Sequence, residues 1–332
     1  MIKEIQAQFR DAILQEAATR YGITAEQLKN LGGFESFVYE FKRHDQHYIL
    51  KLTHTLRRAE AYIMGEIEWL NFLADGGVSV ARAIPSAGGR LVERIEAGDE
   101  GAWLAIAYDR APGQRVTAAE WNGELFAEWG RVVGQMHRLT QSYRLSNPAY
   151  KRQEWFEEDQ LNARKYLPAS EAAVIARAEE LLGSIRGLPT PPDAYGMLHT
   201  DLSHGNFFVH EGRITAFDFD DCGYNWFASD IAVSLFSALV FPPAPIEDPT
   251  AFAQAYLTAF FHGYRQENKL DPTWLPRLHD FLLLRDLLLF IVVHQSWDLS
   301  TWNDEQLVRL AEHRNRILEG RALVDLDWMQ FA

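Results

Sequence analysis

Short apolar runs separated by glycine and charged residues predict a small sheet in the first third of the chain. Residues 31–41 have the pattern of a strand, a glycine turn and a second strand, and residues 48–52 have that of a third. Further strands are predicted at residues 78–84, 90–95 and 103–108. The predicted sheet is therefore followed by a longer part of the chain in which the spacing of apolar residues is different.

Apolar residues at intervals of three and four predict helices elsewhere. Residues 2–20 are predicted to form one amphipathic helix, and a second short helix is predicted to begin at the Thr24 cap and to end near Asn30. Longer helices are predicted at residues 56–74, 118–139 and 172–185, from residue 231 onward, and through most of 249–328. The chain is thus predicted to mix strands and helices.

Two more apolar runs lie near residue 210. Residues 206–210 and 213–217 are separated by Glu211 and Gly212, a two-residue break typical of a tight hairpin. Polar side chains stand at its two outer ends: His199, Asp201 and Asn206 at one, and Asp218, Asp220 and Asp221 at the other. Carboxylates beside strands rich in Phe, Val and Ile are costly to desolvate unless a cation or hydrogen-bond donors compensate them. The pattern therefore predicts a bound metal ion.

The order and spacing of these polar residues indicate the chemistry. His199, Asp201 and Asn206 form H-x-D-L-x-x-x-N, and Asp218 opens D-F, which is the order of a kinase catalytic loop and its metal-binding turn. In that arrangement an Asp accepts the proton of the substrate hydroxyl, while an Asn and a second Asp hold magnesium. Asp201, Asn206 and Asp218 are therefore the candidate catalytic residues, and the last two are the candidate metal ligands.

Two departures from the protein kinases narrow the interpretation. Ser203 stands where a protein kinase usually has Lys, and Asp220 stands where it usually has Gly. The form H-x-D-L-x-x-G-N followed by D-F-D-D resembles the aminoglycoside phosphotransferase and choline kinase-like family of small-molecule kinases. The resemblance implies an α+β, bilobal protein-kinase-like fold, with an antiparallel sheet in the first lobe and a mainly helical second lobe. It places the lobes at residues 1–108 and 116–332, with a hinge at 109–115.

The resemblance assigns part of the first lobe to ATP. Gly32, Gly33 and Ser36 match the family's phosphate loop, and adjacent glycines let backbone N–H groups approach phosphate oxygens. Lys51 lies in the predicted third strand, where a lysine would otherwise point to solvent. The kinase order makes it the candidate for contact with the α- and β-phosphates.

A glutamate on the following helix is predicted to accompany this lysine. Glu66 opens the E-x-x-x-L-x-x-L pattern found in the resembled family, so we expect an ion pair between Lys51 and Glu66. Glu60 and Glu68 are alternatives, and an exposed helix glutamate would simply be solvated.

Adenine-binding and loop-supporting positions are also predicted. The family binds adenine through hinge backbone groups, which alignment on Gly113 places near Asp109 and Ala111. His199 is expected to brace the catalytic loop rather than to transfer protons. Asp230 is expected to support the same loop, or to cap the helix that follows it.

Composition narrows the partners. The 332 residues carry a formal net charge of -14, the pI is about 5.3, and no basic run interrupts this acidity, so a nucleic-acid backbone would be repelled. The single cysteine, Cys222, excludes an intramolecular disulfide and favours a reducing compartment. The N-terminal residues lack the apolar core of a signal peptide, and no apolar run is long enough to span a bilayer. We therefore expect a cytoplasmic protein without nucleic-acid or membrane partners.

Acidic residues near the predicted loop indicate the kind of phosphoryl acceptor. Asp220 and Asp221 follow the predicted metal ligand, while Trp155 and Glu158 lie in an acidic, aromatic insertion at 150–159. Such groups attract an amine or a quaternary ammonium through charge and cation–π interaction. They favour a cationic hydroxyl compound such as an amino alcohol, homoserine, choline or an aminoglycoside. The alternative for Trp155 is inward packing at the start of a solvated acidic helix.

Three other functions share part of this pattern. A Ser/Thr protein kinase of the same fold would need an open groove for a peptide. A pseudokinase that only binds partners would be expected to have lost a catalytic, metal or lysine position, and none is lost. A haloacid dehalogenase-like phosphatase also ends an apolar strand in D-x-D, but it requires Thr or Val where this chain has Cys222. The sequence therefore favours an ATP- and magnesium-dependent kinase acting on a small-molecule hydroxyl group.

Overall fold

A computed structural model describes residues 3–33, 36–96 and 101–332. The chain forms two compact units. The first consists of Met1–Pro112, Tyr143–Arg152 and Thr215–Asp220, and the second consists of Gly113–Ser142, Gln153–Ile214 and Asp221–Ala332. The chain leaves the first unit at residue 112, inside the predicted hinge, but two later segments complete that unit, which the predicted boundaries did not include.

The first unit is built around a six-stranded antiparallel sheet. Its strands are β1 (Lys29–Gly32), β2 (Phe37–Arg43), β3 (Gln46–His54), β4 (Ala83–Ile84), β5 (Glu93–Glu96) and β6 (Ala102–Asp109). The order is β1-β2-β3-β6-β4, with β5 also paired to β6. The helices of this unit are α1 (Lys3–Gln8), α2 (Asp11–Arg20) and α3 (Glu60–Asp75). The predicted strands are thus confirmed, although those predicted at 78–84 and 90–95 are shorter than expected.

One face of this sheet is covered by α2. Leu50 and Leu52 of β3 and Trp103 of β6 are fully buried on that face and share a hydrophobic cluster with Ile13 of α2. Successive side chains of a strand point to opposite faces. Lys51, which lies between the two leucines, is therefore presented on the face that α2 does not cover.

The N-terminal helix predicted as one element is interrupted. The helix α1 ends at Gln8, α2 begins at Asp11, and Arg10 between them is extended, with φ -133° and ψ 152°. The ring of Phe9 stacks 4.0 Å from that of Phe37 and lies 5.1 Å from Trp103. Packing of this one aromatic side chain onto the sheet therefore overrides the helical periodicity.

The short helix predicted after Thr24 is also shorter than expected. It is a single 3₁₀ turn at Ala25–Gln27, closed by a capping box between Thr24 and Gln27. The next residues, Lys29–Gly32, instead pair with β2 as β1, because the sheet supplies them with hydrogen-bond partners.

The second unit is mainly helical. Its helices are α4 (Gly123–Thr140), α5 (Ala163–Tyr166), α6 (Ala172–Arg186), α7 (Phe227–Val240), α8 (Pro249–Tyr264), α9 (Leu278–Ser296) and α10 (Asp304–Glu319). The helix α4 begins later than predicted because Asn122 caps it, accepting hydrogen bonds from the amides of Glu124 and Leu125. Among the described residues, no helix is both long and apolar enough to cross a membrane.

Two short hairpin-like pairs complete the secondary structure. The strand β7 (Tyr195–Leu198) pairs with β10 (Gly223–Trp226), and β8 (Phe207–His210) pairs with β9 (Arg213–Ala216). Positive φ angles at Glu211 and Gly212, 49° and 75°, make the tight turn between β8 and β9. The hairpin predicted between residues 206 and 217 is confirmed.

Glycines bring α4 and α8 unusually close together. A Cβ atom at Gly130 of α4 would lie 1.9 Å from the carbonyl oxygen of Phe260, and one at Gly263 of α8 would lie 1.7 Å from that of Ala127. Neither backbone can accommodate a side chain without moving. The close spacing of these helices therefore depends on glycines at their contact.

We predict that Gly263→Ala lowers the free energy of unfolding by about 1–3 kcal/mol, because the added methyl group forces the two helices apart. Gly183→Ala is the matched control, since Gly183 lies in the exposed part of α6 and its added Cβ would meet nothing within 4 Å. That variant is expected to be neutral or slightly more stable. Urea unfolding curves measure both, and equal effects of the two substitutions would contradict this account of the α4–α8 contact.

Candidate active site

The catalytic-loop residues of the second unit are held by a buried carboxylate. The backbone amide of Thr200 donates to Asp230 Oδ1 at 2.9 Å, while Asp230 Oδ2 lies 3.3 Å from Nε2 of His137. His137 is in turn 2.9 Å from the hydroxyl group of Tyr264. Asp230 lies inside the first turn of α7 and is not its N-cap. These are contacts of the kind expected of a residue that supports the loop.

The loop itself is strained at its centre. Thr200 has φ 65°, an unusual angle for a β-branched residue, and His199 beside it is fully buried. His199 Nδ1 accepts a hydrogen bond from the amide of Asp201 at 3.4 Å. The hydroxyl group of Thr200 donates to the carbonyl oxygen of Asp221 at 2.8 Å. Local hydrogen bonds therefore fix the backbone on both sides of Asp201.

Asp201 and Asn206 lie in direct contact. The amide nitrogen Nδ2 of Asn206 donates to the carbonyl oxygen of Asp201 at 2.9 Å and to its Oδ2 at 3.0 Å. Because both bonds use the nitrogen, the amide oxygen Oδ1 of Asn206 faces away from Asp201. A hard oxygen donor of this kind suits magnesium, so Asn206 fits the metal role that the sequence predicted.

An arginine that the sequence analysis did not assign also contacts Asp201. Arg285 of α9 donates from Nη2 to Asp201 Oδ1, so both carboxylate oxygens of Asp201 have a partner. The side chains of Arg285 and Asp201 are 32% and 31% exposed. Arg285 appeared in the sequence only as a charge within an apolar helical run. The presence of a charged residue in such a run was the only feature of the sequence that could have indicated a role for Arg285.

The first unit holds Lys51 and also residues 218–220, which we call the acidic turn. Lys51 Nζ lies 3.3 Å from Asp218 Oδ1 and 3.4 Å from Asp220 Oδ1. Burial by itself lowers the pKa of Lys51, but the charges of Asp220, Asp218 and Glu66 outweigh it and raise that pKa well above its ordinary value. Lys51 is therefore a permanent cation beside the acidic turn.

The ion pair predicted between Lys51 and Glu66 stays a prediction; among the described residues the close carboxylate contacts of Lys51 are those to Asp218 and Asp220. Glu66 is buried on α3, and its Oε1 accepts a hydrogen bond from the hydroxyl group of Tyr108 at 3.0 Å. Burial raises the pKa of Glu66, while the charge of Lys51 acts in the opposite direction. Asp218 and Asp220 lie within 3.3 and 3.4 Å of Lys51 Nζ and make direct contacts with it. The alternative Glu68 accepts from Tyr143 at 2.9 Å.

Asp220 is committed to contacts inside the first unit. Its carboxylate accepts a hydrogen bond from Arg57 as well as contacting Lys51, and its carbonyl oxygen accepts from Arg152. Burial by itself raises the pKa of Asp220, but Lys51 and Arg57 outweigh it and hold that pKa far below its usual range. Arg152 also lies 3.6 Å from the ring centre of Tyr62 on α3. The acceptor-binding role suggested for Asp220 stays a prediction, and these contacts favour a role in holding Lys51.

Asp218 differs from Asp220 in exposure and geometry. Its side chain is 53% exposed, and its φ of 61° lies in the left-handed region, which Asp and Asn adopt more readily than other residues with a side chain. Phe219 between the two aspartates packs edge-on against Trp69 of α3, with ring centres 5.5 Å apart. The turn thus buries Phe219 and Asp220 and leaves the Asp218 carboxylate accessible, as a metal ligand must be.

The predicted phosphate loop joins β1 to β2. Gly33 has φ 136°, and a Cβ atom there would lie 2.1 Å from the carbonyl oxygen of Ser36. The hydroxyl group of Ser36 is buried and has no hydrogen-bond partner among the described residues. A compact glycine turn and a buried hydroxyl group in need of a partner fit a phosphate ligand. Residues 34 and 35 of this loop lie outside the described residues.

The predicted adenine-binding positions end β6. The amide of Asp109 donates to the carbonyl oxygen of Arg82 at 2.8 Å, so the sheet already uses this N–H group. Ala111 is buried, and its carbonyl oxygen accepts from Nη1 of Arg110 at 3.3 Å. Binding of adenine near these residues stays a prediction.

The residues predicted for acceptor binding in the insertion mostly face inward. Trp155 is buried, and its ring centre lies 5.4 Å from that of Trp226, as in the packing alternative. Glu158 accepts a hydrogen bond from Nε2 of Gln153 at 2.7 Å and caps the next 3₁₀ turn. The structure therefore brings together Lys51, Asp218 and Asp220 in one unit and Asp201 with Asn206 in the other, but gives Trp155 no accessible face.

Comparisons with known proteins agree with this picture. The profile of the phosphotransferase enzyme family, abbreviated APH, matches residues 27–282. An amicoumacin kinase of Bacillus subtilis (strain 168) is 47% identical over 327 residues, which cover 98% of this chain and 97% of that protein.

Solved structures give the same result. An amicoumacin kinase in complex with AMP-PNP, Ca²⁺ and Ami matches with a TM-score of 0.97 at 42% identity, covering all of both chains. A microcompartment-associated aminopropanol kinase matches with a TM-score of 0.72 at 23% identity, covering 93% of this chain and 95% of that one. The second likeness establishes a shared fold.

We predict that Asp220→Asn lowers the free energy of unfolding by roughly 3–5 kcal/mol, because it leaves Lys51 and Arg57 partly buried with less compensating charge. The lowered pKa of Asp220 means that its stabilising contribution is present above the ordinary carboxylate pKa of about 3.9 and is lost only as the pH falls further. The loss should therefore be constant between about pH 5 and 8.

Glu305→Gln is the matched control for this substitution. Glu305 pairs with Arg309 on the surface of α10, where both side chains are more than 70% exposed. Its loss should cost less than about 1 kcal/mol. If urea unfolding gives equal small losses for the two variants, the buried ion pairs of Asp220 do not stabilise the first unit.

Proposed function

Because this chain belongs to the phosphotransferase enzyme family, we propose that it transfers the γ-phosphoryl group of ATP to a hydroxyl group of amicoumacin or of a closely similar small molecule. It is an ATP- and divalent-metal-dependent small-molecule kinase. Similarity along almost the whole chain to an amicoumacin kinase supports the identity of the acceptor. The cytoplasmic location and the lack of nucleic-acid and membrane partners stay predictions.

The observation that carries the reaction is the contact between Asp201 and Asn206. A kinase needs a carboxylate that receives the acceptor hydroxyl group and, beside it, an oxygen that binds metal. The two hydrogen bonds from Asn206 Nδ2 to Asp201 support both roles, because they orient the carboxylate and leave the amide oxygen of Asn206 unused by Asp201. Asp201 then orients the hydroxyl group and takes its proton late in the transfer.

The remaining roles follow the predictions from the sequence. We assign Lys51 to the α- and β-phosphates, since it is a permanent cation, and Gly33 and Ser36 to the phosphate oxygens. We assign Asn206 and Asp218 as ligands of magnesium. Magnesium, when bound, offsets the charge that develops on the phosphate oxygens during transfer. A cationic acceptor remains compatible with the net charge of -14.

The decisive experiment measures ADP release from Mg-ATP with a panel of acceptors. The panel contains amicoumacin, an aminopropanol, homoserine, choline, an aminoglycoside and a generic Ser/Thr protein. We expect turnover with amicoumacin and a product heavier by one phosphoryl group. In Asp201→Asn, kcat should fall by about 10²-fold or more while the KM for ATP stays unchanged.

Other outcomes separate the alternatives. Turnover with the protein alone would favour a protein kinase, and turnover with another small molecule would replace amicoumacin as the acceptor. If no compound stimulates ADP release but Mg-ATP still raises the melting temperature, the result would favour a pseudokinase. A loss of ATP binding in Asp201→Asn would contradict the role given to Asp201.

We also predict that Asp218→Asn removes most of the activity at low magnesium concentration and that excess magnesium partly restores it, because an amide oxygen binds the cation more weakly than a carboxylate. Titration of activity against magnesium measures the shift. Asp298→Asn, at an exposed N-cap distant in sequence from these motifs, is the control and should leave the titration unchanged. A normal magnesium requirement in Asp218→Asn would remove Asp218 from the metal site.

A further inference from the structure

The ion pair between Arg285 and Asp201 has no counterpart in the motifs that identified the loop. Arg285 reaches Asp201 from a position 84 residues later in the chain. Asn206 holds one carboxylate oxygen of Asp201 and Arg285 holds the other. Turning the carboxylate group away from this orientation would break at least one of these two hydrogen bonds.

The catalytic loop has no permanent cation of its own. Position 203 is Ser, where the protein kinases usually have Lys. His199 is engaged locally, since its Nδ1 accepts a hydrogen bond from the amide of Asp201. Residues 199–206 contain no Lys or Arg. Arg285 therefore supplies the permanent positive charge beside Asp201 that this loop lacks.

Arg285 stands on a rigid part of the second unit. The neighbouring Asp286 is fully buried and accepts two hydrogen bonds from Arg316 of α10, at 2.8 and 3.0 Å. On the same helix, Leu284 and Leu287 are buried in the core. Because the backbone of α9 is fixed on both sides, the guanidinium group of Arg285 approaches Asp201 from a defined direction.

We propose that Arg285 is a positioning residue for Asp201, fixing the carboxylate so that one oxygen meets the acceptor hydroxyl group in a reactive orientation. The proposal rests on the function proposed above. An arginine is suited to this task because its planar fork holds a carboxylate in one orientation, which a flexible ammonium does less well. Arg285 itself is not assigned a contact with the acceptor and acts only through the carboxylate of Asp201.

The first test compares Arg285→Ala and Arg285→Lys with the wild type, using the acceptor found in the panel and also water as the acceptor in slow ATP hydrolysis. In Arg285→Ala, kcat should fall by about 10- to 100-fold, because a small misorientation of a catalytic group has an effect of this size. The KM for ATP should not change. Arg285→Lys should recover part of kcat, and millimolar guanidinium ion should recover part of it in Arg285→Ala.

A matched control separates positioning from stability. Arg314 of α10 forms an ion pair with Glu171 at 2.7 Å and has a similar exposure to Arg285, 35% against 32%. Arg314→Ala should change the melting temperature no less than Arg285→Ala does, yet leave kcat unaltered and insensitive to guanidinium ion.

The double variant provides the sharpest readout. In an Asp201→Asn background, Arg285→Ala should cause no further loss of kcat, because Arg285 acts only through the carboxylate. Additive losses, or an unchanged kcat in the single variant Arg285→Ala while the wild type turns over, would overturn the positioning role and leave the proposed function intact. A wild type that is silent with every acceptor and with water would overturn both.

Discussion

The buried charges around Asp220 determine how the first unit is assembled. A carboxylate with only 12% of its side chain exposed requires cations, and Lys51 of β3 and Arg57 between β3 and α3 provide them. Arg152, from a later segment of the chain, bonds to the carbonyl oxygen of the same residue. Lys51 is presented on the face of the sheet that α2 does not cover, because the alternating Leu50 and Leu52 point to the other face. Contacts to the carboxylate and the carbonyl oxygen of this one residue thus join two later segments of chain to the first unit and hold the lysine.

In the second unit, a buried carboxylate likewise holds the catalytic loop through a hydrogen bond. Thr200 has a backbone angle that it would not adopt in isolation, and buried Asp230 compensates by accepting its amide. The distance from Asp230 to His137 ties this support to α4, whose close approach to α8 depends on glycine. The strain in the loop is therefore balanced by rigid helix packing, which keeps Asp201 in place.

Local features of the sequence were enough to predict much of this structure. The hairpin followed from Glu211 and Gly212, and the strand of Lys51 followed from its apolar neighbours, because turn chemistry and alternation act over a few residues. Arg57, Arg152 and Arg285 were missed because their partners lie 163, 68 and 84 residues away, and no local pattern records such a pair. The break at Phe9 was missed for the same reason, since its cause is a distant ring on the sheet.

Long-range pairing also changes how the acidic composition bears on the acceptor. Asp220 looked like part of an acidic outer surface, yet its charge is neutralised by Lys51 and Arg57. Asp201, which is predicted to accept the proton of the acceptor hydroxyl group, forms an ion pair with Arg285. The acidity of the whole chain therefore says little about the surroundings of Asp201, whose negative charge is paired with Arg285. An ammonium group would have to compete with this guanidinium group to contact Asp201. The role proposed for Asp201 is therefore recognition of a hydroxyl group, and we expect any preference for cations to come from other side chains.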